Sequence, residues 1–470
     1  MAKFYDLDDD ILLIILSLIS QRDALRLAST CHFGYNIALP RFLSKVDIQY
    51  SMRKSHKVAG FCKFMLADAP RRLPYLREFS LADGCPYFPQ PFNHSIDPES
   101  VALLVQVLRR ATEIKKLTIG NEDDLLMNHP ELLDALAALP HLQTIRLEYC
   151  GWPSLTLLSR SISCPHTLDI FDCNLGGSEG DDDLPIAQNI VTSVRNMKVQ
   201  LSHLGIDDDL EEDGLEFVPT RLLTRTVWSS VRALNLSECS DMSDIARAFP
   251  NLHNLTYSNT DPRPVDHDPL VKWSNLDSVM ARCRVPLASR VRRLVLRYTC
   301  PPEAEFLTLL QRCTPTILSF NASLVYASYC EGVQGLMTRA VRSNLRYLEL
   351  YTFWHERNPD QIVQSEIVPG IISYVGMFSQ VPLTGIAITY YKPLSLEVDG
   401  LMGLAKKIAA LIPTLAYVGL DLSERKSSLH PIAFKWYSVT SRAGESPELE
   451  QLSEVEGRRI EVELNDIDHI

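Results

Sequence analysis

No two cysteines stand in a C-x-x-C spacing, so the usual zinc-ligand and thioredoxin-like arrangements are missing, although the chain holds 11 cysteines. The number is odd and no basic leader precedes it. Reduced thiols, and hence the cytoplasm or nucleus, are the expectation. Long apolar runs are also lacking. The longest, Ile11 to Ile19, is well short of the roughly 20 residues that span a bilayer. It follows Asp6, Asp8, Asp9 and Asp10 rather than a basic segment, which argues against a secretion signal. Excess positive charge is absent too: 46 Lys and Arg stand against 58 Asp and Glu, a net charge of −12. Sequence-independent binding of nucleic acid needs a basic stripe, so neither a nucleic acid nor a membrane is expected as partner.

Signatures of catalysis are missing as well. The chain has no Walker A, no G-x-G-x-x-G and no H-E-x-x-H. Gly176-Gly177-Ser178-Glu179-Gly180 lacks the following Lys and leads into acidic residues, which repel phosphate. The acidic clusters at Glu122–Asp124, Asp181–Asp183 and Asp207–Asp213 lack the D-x-D-x-D-G calcium pattern and read as solvated loops between structural units. The expectation is a non-enzyme with no cofactor and no metal.

What the chain does have is apolar material for a core, 46 % of its residues. The first concentration is LDDDILLIILSLISQRDALRLASTC, Leu7 to Cys31. Asp8 or Asp9 suits a helix N-terminus. The run that follows is apolar on every face, as in a helix buried all round. Ser20-Gln21-Arg22-Asp23 starts a second helix, with Ala24, Leu25, Leu27 and Ala28 apolar. A third is expected from Phe33 to Leu39, stopped by Pro40. Three short helices cannot hide this much apolar surface by themselves. The surplus either packs on the rest of the chain or is kept for a partner helix.

These residues resemble the F-box. Leu7, Asp10, Ile11, Leu12, Ile15, Leu16, Leu18 and Ile19 fall on its spaced positions. So do Asp23, Leu25, Leu27, Ala28 and Cys31, followed by His32. Asp8 replaces the family's usual Pro, and Gly34-Tyr35 its usual Trp. The resemblance implies docking on the Skp adaptor of a cullin-containing SCF ubiquitin ligase, through Leu7, Ile11, Leu12, Ile15, Leu16, Leu18, Asp23, Leu25 and Leu27.

The remainder repeats a short unit: apolar, two variable, apolar, one variable, apolar. Copies begin at Leu76, Ile114, Leu142, Val194, Val231, Leu252, Val291, Leu345, Leu383 and Leu415, with weaker ones at Leu168–Phe171 and Ile317–Phe320. The period-two ending is a strand signal. Helical patterns precede several copies, at Val101–Arg110, Glu131–Leu139, Glu303–Gln311 and Gly400–Leu411. Spacing is irregular; the shortest, from Val231 to Leu252, lies in the leucine-rich repeat range. Two copies, LQTIRLEYC from Leu142 and VRALNLSEC from Val231, match L-x-x-L-x-L-x-x-C in full. The segment resembles a divergent leucine-rich repeat array of the kind found behind an F-box.

The expected fold is therefore α/β: an N-terminal three-helix F-box at 1–44, then a leucine-rich repeat solenoid, or horseshoe, with a concave parallel sheet at 45–443. Strand Val46–Tyr50 and helix Gly60–Asp68 would begin the array, and Phe434–Thr440 would close it. The tail 444–470 has nine carboxylates against Arg458 and Arg459 and reads as a polar extension. Ile460, Val462 and Leu464 alternate enough for one edge strand.

Variable strand positions point out of the sheet. Those at Lys116, Thr118, Thr144, Arg146, Glu148 and Asn235 are early examples; Thr389 and Tyr417 are late ones. Aromatic and Arg residues, which carry binding energy at interfaces, concentrate in the later copies, with Tyr298, Phe353 and Tyr391 at the strand ends. Arg293, Arg297, Tyr347, Glu349, Tyr351, Trp354 and Tyr390 are thus the expected target-binding set. The functional expectation is a substrate-receptor subunit of an SCF-type ubiquitin ligase, with Skp adaptor, cullin and an unknown target protein as partners. A leucine-rich repeat scaffold acting outside any ligase is the alternative.

Overall fold

The computed structural model describes residues 7–48, 55–82, 96–120, 123–148, 152–171, 203–207, 227–237, 242–258, 270–281, 285, 287–297, 303–323, 344–353, 364–390, 398–421, 434–440 and 446–467. The chain divides into two compact units, Met1–Ser237 and Glu238–Ile470. Both are mixed α/β with parallel sheets. No described helix is long and apolar enough to cross a membrane.

The first unit opens with α1 (Asp9–Leu18), α2 (Gln21–Ala28) and α3 (His32–Leu43). Asp8 takes the N-cap position of α1 with extended backbone but makes no side-chain cap bond. It acts only as a negative charge beside the helix N-terminus. Ser20 caps α2, its hydroxyl accepting from the Asp23 N–H at 3.1 Å. Helix α3 does not stop at Pro40 but runs three residues beyond it. Proline removes one backbone bond, yet buried Leu39 and Leu43 hold the last turn down. The Gln21 side chain also donates to the Phe42 and Lys45 carbonyls, and Arg41 Nε to the Ile19 carbonyl at 3.1 Å. Those bonds satisfy carbonyls that a helix end leaves open.

From there β1 (Lys45–Asp47), β2 (Glu78–Ala82), β3 (Lys116–Gly120), β4 (Thr144–Glu148), β5 (Thr167–Phe171), β6 (His203–Asp207) and β7 (Ala233–Ser237) pair in chain order, each parallel to the next. Helices α4 (Ser55–Ala67), α5 (Ala69–Arg72), α6 (Pro98–Arg110), α7 (Asp123–Asn128), α8 (Pro130–Ala137) and α9 (Trp152–Arg160) occupy the connections. Helix α6 shows why they form where they do. Asp97 accepts from the Ser100 N–H at 2.9 Å, Pro98 opens the helix, and Arg109 and Arg110 close it beside the dipole's negative end. Its buried stripe is Val101, Leu104, Val105 and Leu108, spaced for one helical face. Phe79, Leu81, Leu117, Ile119, Ile145, Leu147, Leu168 and Ile170 supply the buried side of the strands.

The expected copies at Leu76, Ile114, Leu142, Leu168 and Val231 are β2, β3, β4, β5 and β7. The copy at Val194 lies outside the described residues, and β6, between β5 and β7, was not expected. The acidic cluster at Asp123 was expected in a loop but opens a short helix, α7; acidic residues suit a helix N-terminus.

In the second unit, α10 (Met242–Ala248) precedes β8 (Asn254–Ser258), β9 (Ser278–Ala281) and β10 (Arg293–Leu296). Next come α11 (Glu303–Cys313), β11 (Ile317–Ser323), β12 (Tyr347–Phe353), α12 (Gln364–Gly376), β13 (Gly385–Tyr390), α13 (Val398–Leu411) and β14 (Tyr417–Asp421). Strands β8 to β14 are parallel in chain order. Then the direction changes: β15 (Lys435–Thr440) is antiparallel to β14, and β16 (Glu448–Gln451) to β15.

Ile460–Leu464 do not form the expected edge strand. They belong to helix α14 (Glu454–Asn465). Ser453 accepts from the Glu456 N–H at 3.3 Å while the Glu456 carboxylate accepts from the Ser453 N–H at 3.1 Å, a complete capping box. Buried Gly457, Ile460 and Leu464 lie on one face of the helix, whereas Val462, which made the alternation look strand-like, is exposed.

Candidate functional site

Two surfaces concern function. The first is on the N-terminal helices. Leu16, Ala24, Ala28 and Ala38 form their core, with Ile19, Leu27, Tyr35, Ile37 and Phe42 packed around it. Gly34 admits the close crossing of α2 and α3: a Cβ there would meet the Leu27 carbonyl oxygen at 2.5 Å. A larger residue at that position would push the helices apart.

Of the residues expected to contact an adaptor, Leu12 and Leu16 are buried and face inward. Leu7, Ile15 and Leu27 are half-buried. Asp23 is exposed, and its carboxylate accepts from Arg26 at 3.1 Å and from Ser20 at 2.7 Å. Those bonds hold it below the ordinary carboxylate range, the Ser20 hydroxyl being the main cause. Ile11, Leu18 and Leu25 project outward, joined by Leu13, Ile14 and Phe33, which the expected set omits. Leu13 is 63 % exposed, Ile14 60 %, Leu18 80 % and Leu25 54 %. The helix is thus not buried all round. Isolated exposed leucines are ordinary, but this number on two consecutive helices makes the face a candidate interaction surface. The signal for Leu13 and Ile14 was present, since an all-apolar helix in a unit this small must leave a face uncovered.

The second surface is the outward side of the strands. In the first unit Lys116, Thr118, Thr144, Arg146, Glu148 and Asn235 are exposed or half-buried, as period-two alternation requires. Arg146 pairs with Glu148 along one strand.

In the second unit the outward side is covered by the chain itself. Register places Arg293, Ile317, Tyr347, Gly385 and Tyr417 in one row across β10 to β14. The adjacent row is Val295, Ser319, Glu349, Ala387 and Gly419, continued by Trp436 on β15. Ile460 and Leu464 of α14 bury themselves against Ile317, Tyr347, Ala387 and Trp436. Small residues make room for them. A Cβ on Gly385 would come within 2.7 Å of Leu464, one on Gly419 within 3.0 Å of the Trp436 ring, and one on Gly457 within 2.8 Å of the same ring. A side-chain-free residue in mid-strand commonly marks such a close approach.

Polar contacts complete the seat. Arg292 donates to both oxygens of Asp277 at 2.9 and 3.0 Å, and also to the Asn465 carbonyl at the C-terminal end of α14. Arg293 donates to the Asn465 side chain and, at 3.0 Å, to Glu349. Two guanidinium groups therefore stand at the negative end of the helix dipole.

The expected target-binding residues divide accordingly. Tyr347 and Glu349 are buried, Tyr347 beneath α14, and Arg293 is committed to Asn465 and Glu349. Tyr390 is buried in the row of Ala322 and Thr352, on the side of the sheet that carries Leu318 and Leu348, so it does not face outward. Thr389 is buried as well, and Tyr417 is half-buried against the α14 contact. Arg297 and Tyr351 are half-buried, with the guanidinium 4.2 Å from the ring centroid, a cation–π geometry. Trp354, Tyr298 and Tyr391 lie outside the described residues.

Burial of the Tyr347 phenol pushes its pKa well up, with Glu349 and Glu461 adding to the effect. Glu461, on α14, is also raised, first by burial and then by the charge of Glu349; Arg293 and Arg458 oppose the shift. A carboxyl with an elevated value holds its proton more firmly in the seated helix than in a free one. Seating is therefore favoured below the ordinary glutamate range, and that advantage is lost as pH rises past the elevated value of Glu461. Glu461→Gln is expected to raise the urea-derived unfolding free energy of the second unit at pH 7.5 by less than ~1 kcal/mol, because the group is partly solvated, and to leave it unchanged at pH 4. Tryptophan fluorescence at the two pH values checks this; equal effects at both would refute the assignment.

Among the described residues no group of three or more His, Cys, Asp or Glu is placed to hold a metal. No known family's sequence profile matches the chain, and no curated protein matches it.

Proposed function

We propose that the chain is a substrate-receptor subunit of an SCF-type ubiquitin ligase: α1 to α3 an F-box that docks the Skp adaptor, and the remainder a divergent leucine-rich repeat array that presents a target. The exposed apolar face of α1 and α2, centred on Leu13, Ile14, Leu18 and Leu25, carries the reading. It coincides with the segment whose spaced residues resemble the F-box. Helix-in-groove docking suits such a face. The chain then acts by position, holding a target near a conjugating enzyme at high effective concentration, without catalytic residues of its own.

The repeated strand units and the parallel pairing within each unit agree with the array reading. Among the described residues of the first unit, the polar outward positions Lys116, Thr118, Thr144 and Arg146 are exposed or half-buried, which suits contact with a target. The test is co-expression with a Skp adaptor, followed by size-exclusion chromatography. A stable one-to-one complex is expected; a chain that elutes alone and monodisperse would favour the scaffold alternative.

A further inference from the structure

The strand face most suited by composition to bind a partner is occupied by a helix of the same chain, α14. Three features of that contact bear on its role. First, the seat is shaped for a helix: Gly385, Ala387 and Gly419 form a shallow channel in the strands, ending at Arg292 and Arg293. Second, the fit is incomplete. The Tyr347 hydroxyl, the Ser319 hydroxyl and the Trp436 indole N–H are buried with no hydrogen-bond partner among the described residues. Most buried polar groups in native proteins are satisfied, so three orphans in one contact leave binding energy unused. Third, the contact sets Glu461 of α14 near Glu349, like charges that weaken it.

A helix with its own capping box, seated imperfectly in a channel, has the properties of a competitor rather than of a core element. We propose that the face of β10 to β15 is a helix-binding groove, and that α14 is its resting internal ligand, displaced when a target protein offers a better-fitting helix. The occupant is defined by what α14 presents: an amphipathic helix with Gly-x-x-Ile-x-x-x-Leu spacing, read from Gly457, Ile460 and Leu464. Its C-terminal carbonyl and carboxamide groups lie over Arg292 and Arg293. A target helix gains over α14 by bonding the Tyr347 hydroxyl or by lacking the Glu461 charge. The inference concerns the target side of the proposed receptor and involves no adaptor, so each can fail without the other.

The test uses the full chain and a fluorescent synthetic peptide of residues 452–467. Ile460→Glu with Leu464→Glu unseats α14 while leaving the groove residues intact. Fluorescence anisotropy is expected to show saturable binding of the peptide to this variant, about tenfold or more tighter than to the unmodified chain, whose groove is filled. A sequence-scrambled peptide is expected not to bind. Hydrogen exchange on the unmodified chain gives an independent reading. Amides of Glu454–Asn465 are expected to exchange as a group about tenfold or more faster than those of Gly385–Tyr390 and Tyr417–Asp421. The proposal is overturned if the variant binds no peptide, if both chains bind it equally, or if the scrambled peptide binds as well. It is overturned equally if the variant loses cooperative unfolding of the second unit, or if α14 exchanges in step with the strands beneath it, since the helix would then be part of the core.

Discussion

A chain carrying Leu13→Asp and Leu18→Asp is expected to lose the Skp adaptor while keeping its fold. Both side chains are mostly solvent-exposed on α1, so their replacement removes no internal packing. Surface changes of this kind alter stability by about 0.5 kcal/mol or less. In a docked complex each leucine would contribute roughly 1.5–3 kcal/mol by burial, and an aspartate adds the cost of desolvating a charge. Loss of both contacts corresponds to about a thousandfold weaker association. Pull-down titration with purified adaptor reads the loss, and circular dichroism melting reads the fold.

The contrast with Leu16→Asp sharpens the test. Leu16 is buried against Ala24, Ala28 and Ala38, so a charge there breaks the helical unit itself and loses the adaptor for an uninformative reason. Undiminished capture by the Leu13→Asp, Leu18→Asp chain would sink the receptor reading.

The second large effect is on stability. Trp436 is 2 % exposed and joins the sheet to α14: its ring packs on Gly419, on Gly457 and on Phe434, whose ring centroid is 5.6 Å away. Trp436→Ala is expected to destabilise the second unit by about 3–5 kcal/mol, the usual cost of emptying an aromatic site whose glycine neighbours have no side chains to fill the void. Trp436→Phe keeps most of the ring and removes the orphaned indole N–H, so its cost is expected to be much smaller. Urea unfolding followed by circular dichroism separates the two. If the alanine variant cost under about 1 kcal/mol, Trp436 would not be the joint between sheet and helix.

Much of the fold was legible in the sequence because its signals are local. A strand flanked by turns announces itself by alternation, and the copies at Leu76, Ile114, Leu142, Val231, Leu252, Val291, Leu345, Leu383 and Leu415 all became strands. Helix α6 was announced by the apolar spacing of Val101–Arg110; its Asp97 cap was seen only in the structure. Strands β6 and β9 were not, since HLGID and SVMA are short and weakly patterned and are recruited by pairing with neighbours already in place. Pro40 was misread because proline's local cost was weighed without the Gln21 and Arg41 bonds that offset it.

The candidate site divides in the same way. From sequence alone came the apolar N-terminal helix, its capped successor, the repeating strands and the rows of variable residues that must face outward. Only the tertiary structure decided which of those faces stays open. On α1 it sent Leu12 and Leu16 inward and left Leu13, Ile14 and Leu18 in solvent. On the later strands it laid α14 over Tyr347, through contacts such as Arg292 with Asn465, which are 173 residues apart. Periodicity tells a residue which side of its own element it occupies. It carries no information on what distant segment will cover that side, because the choice rests on shape and charge shared between elements that the chain's local pattern does not connect.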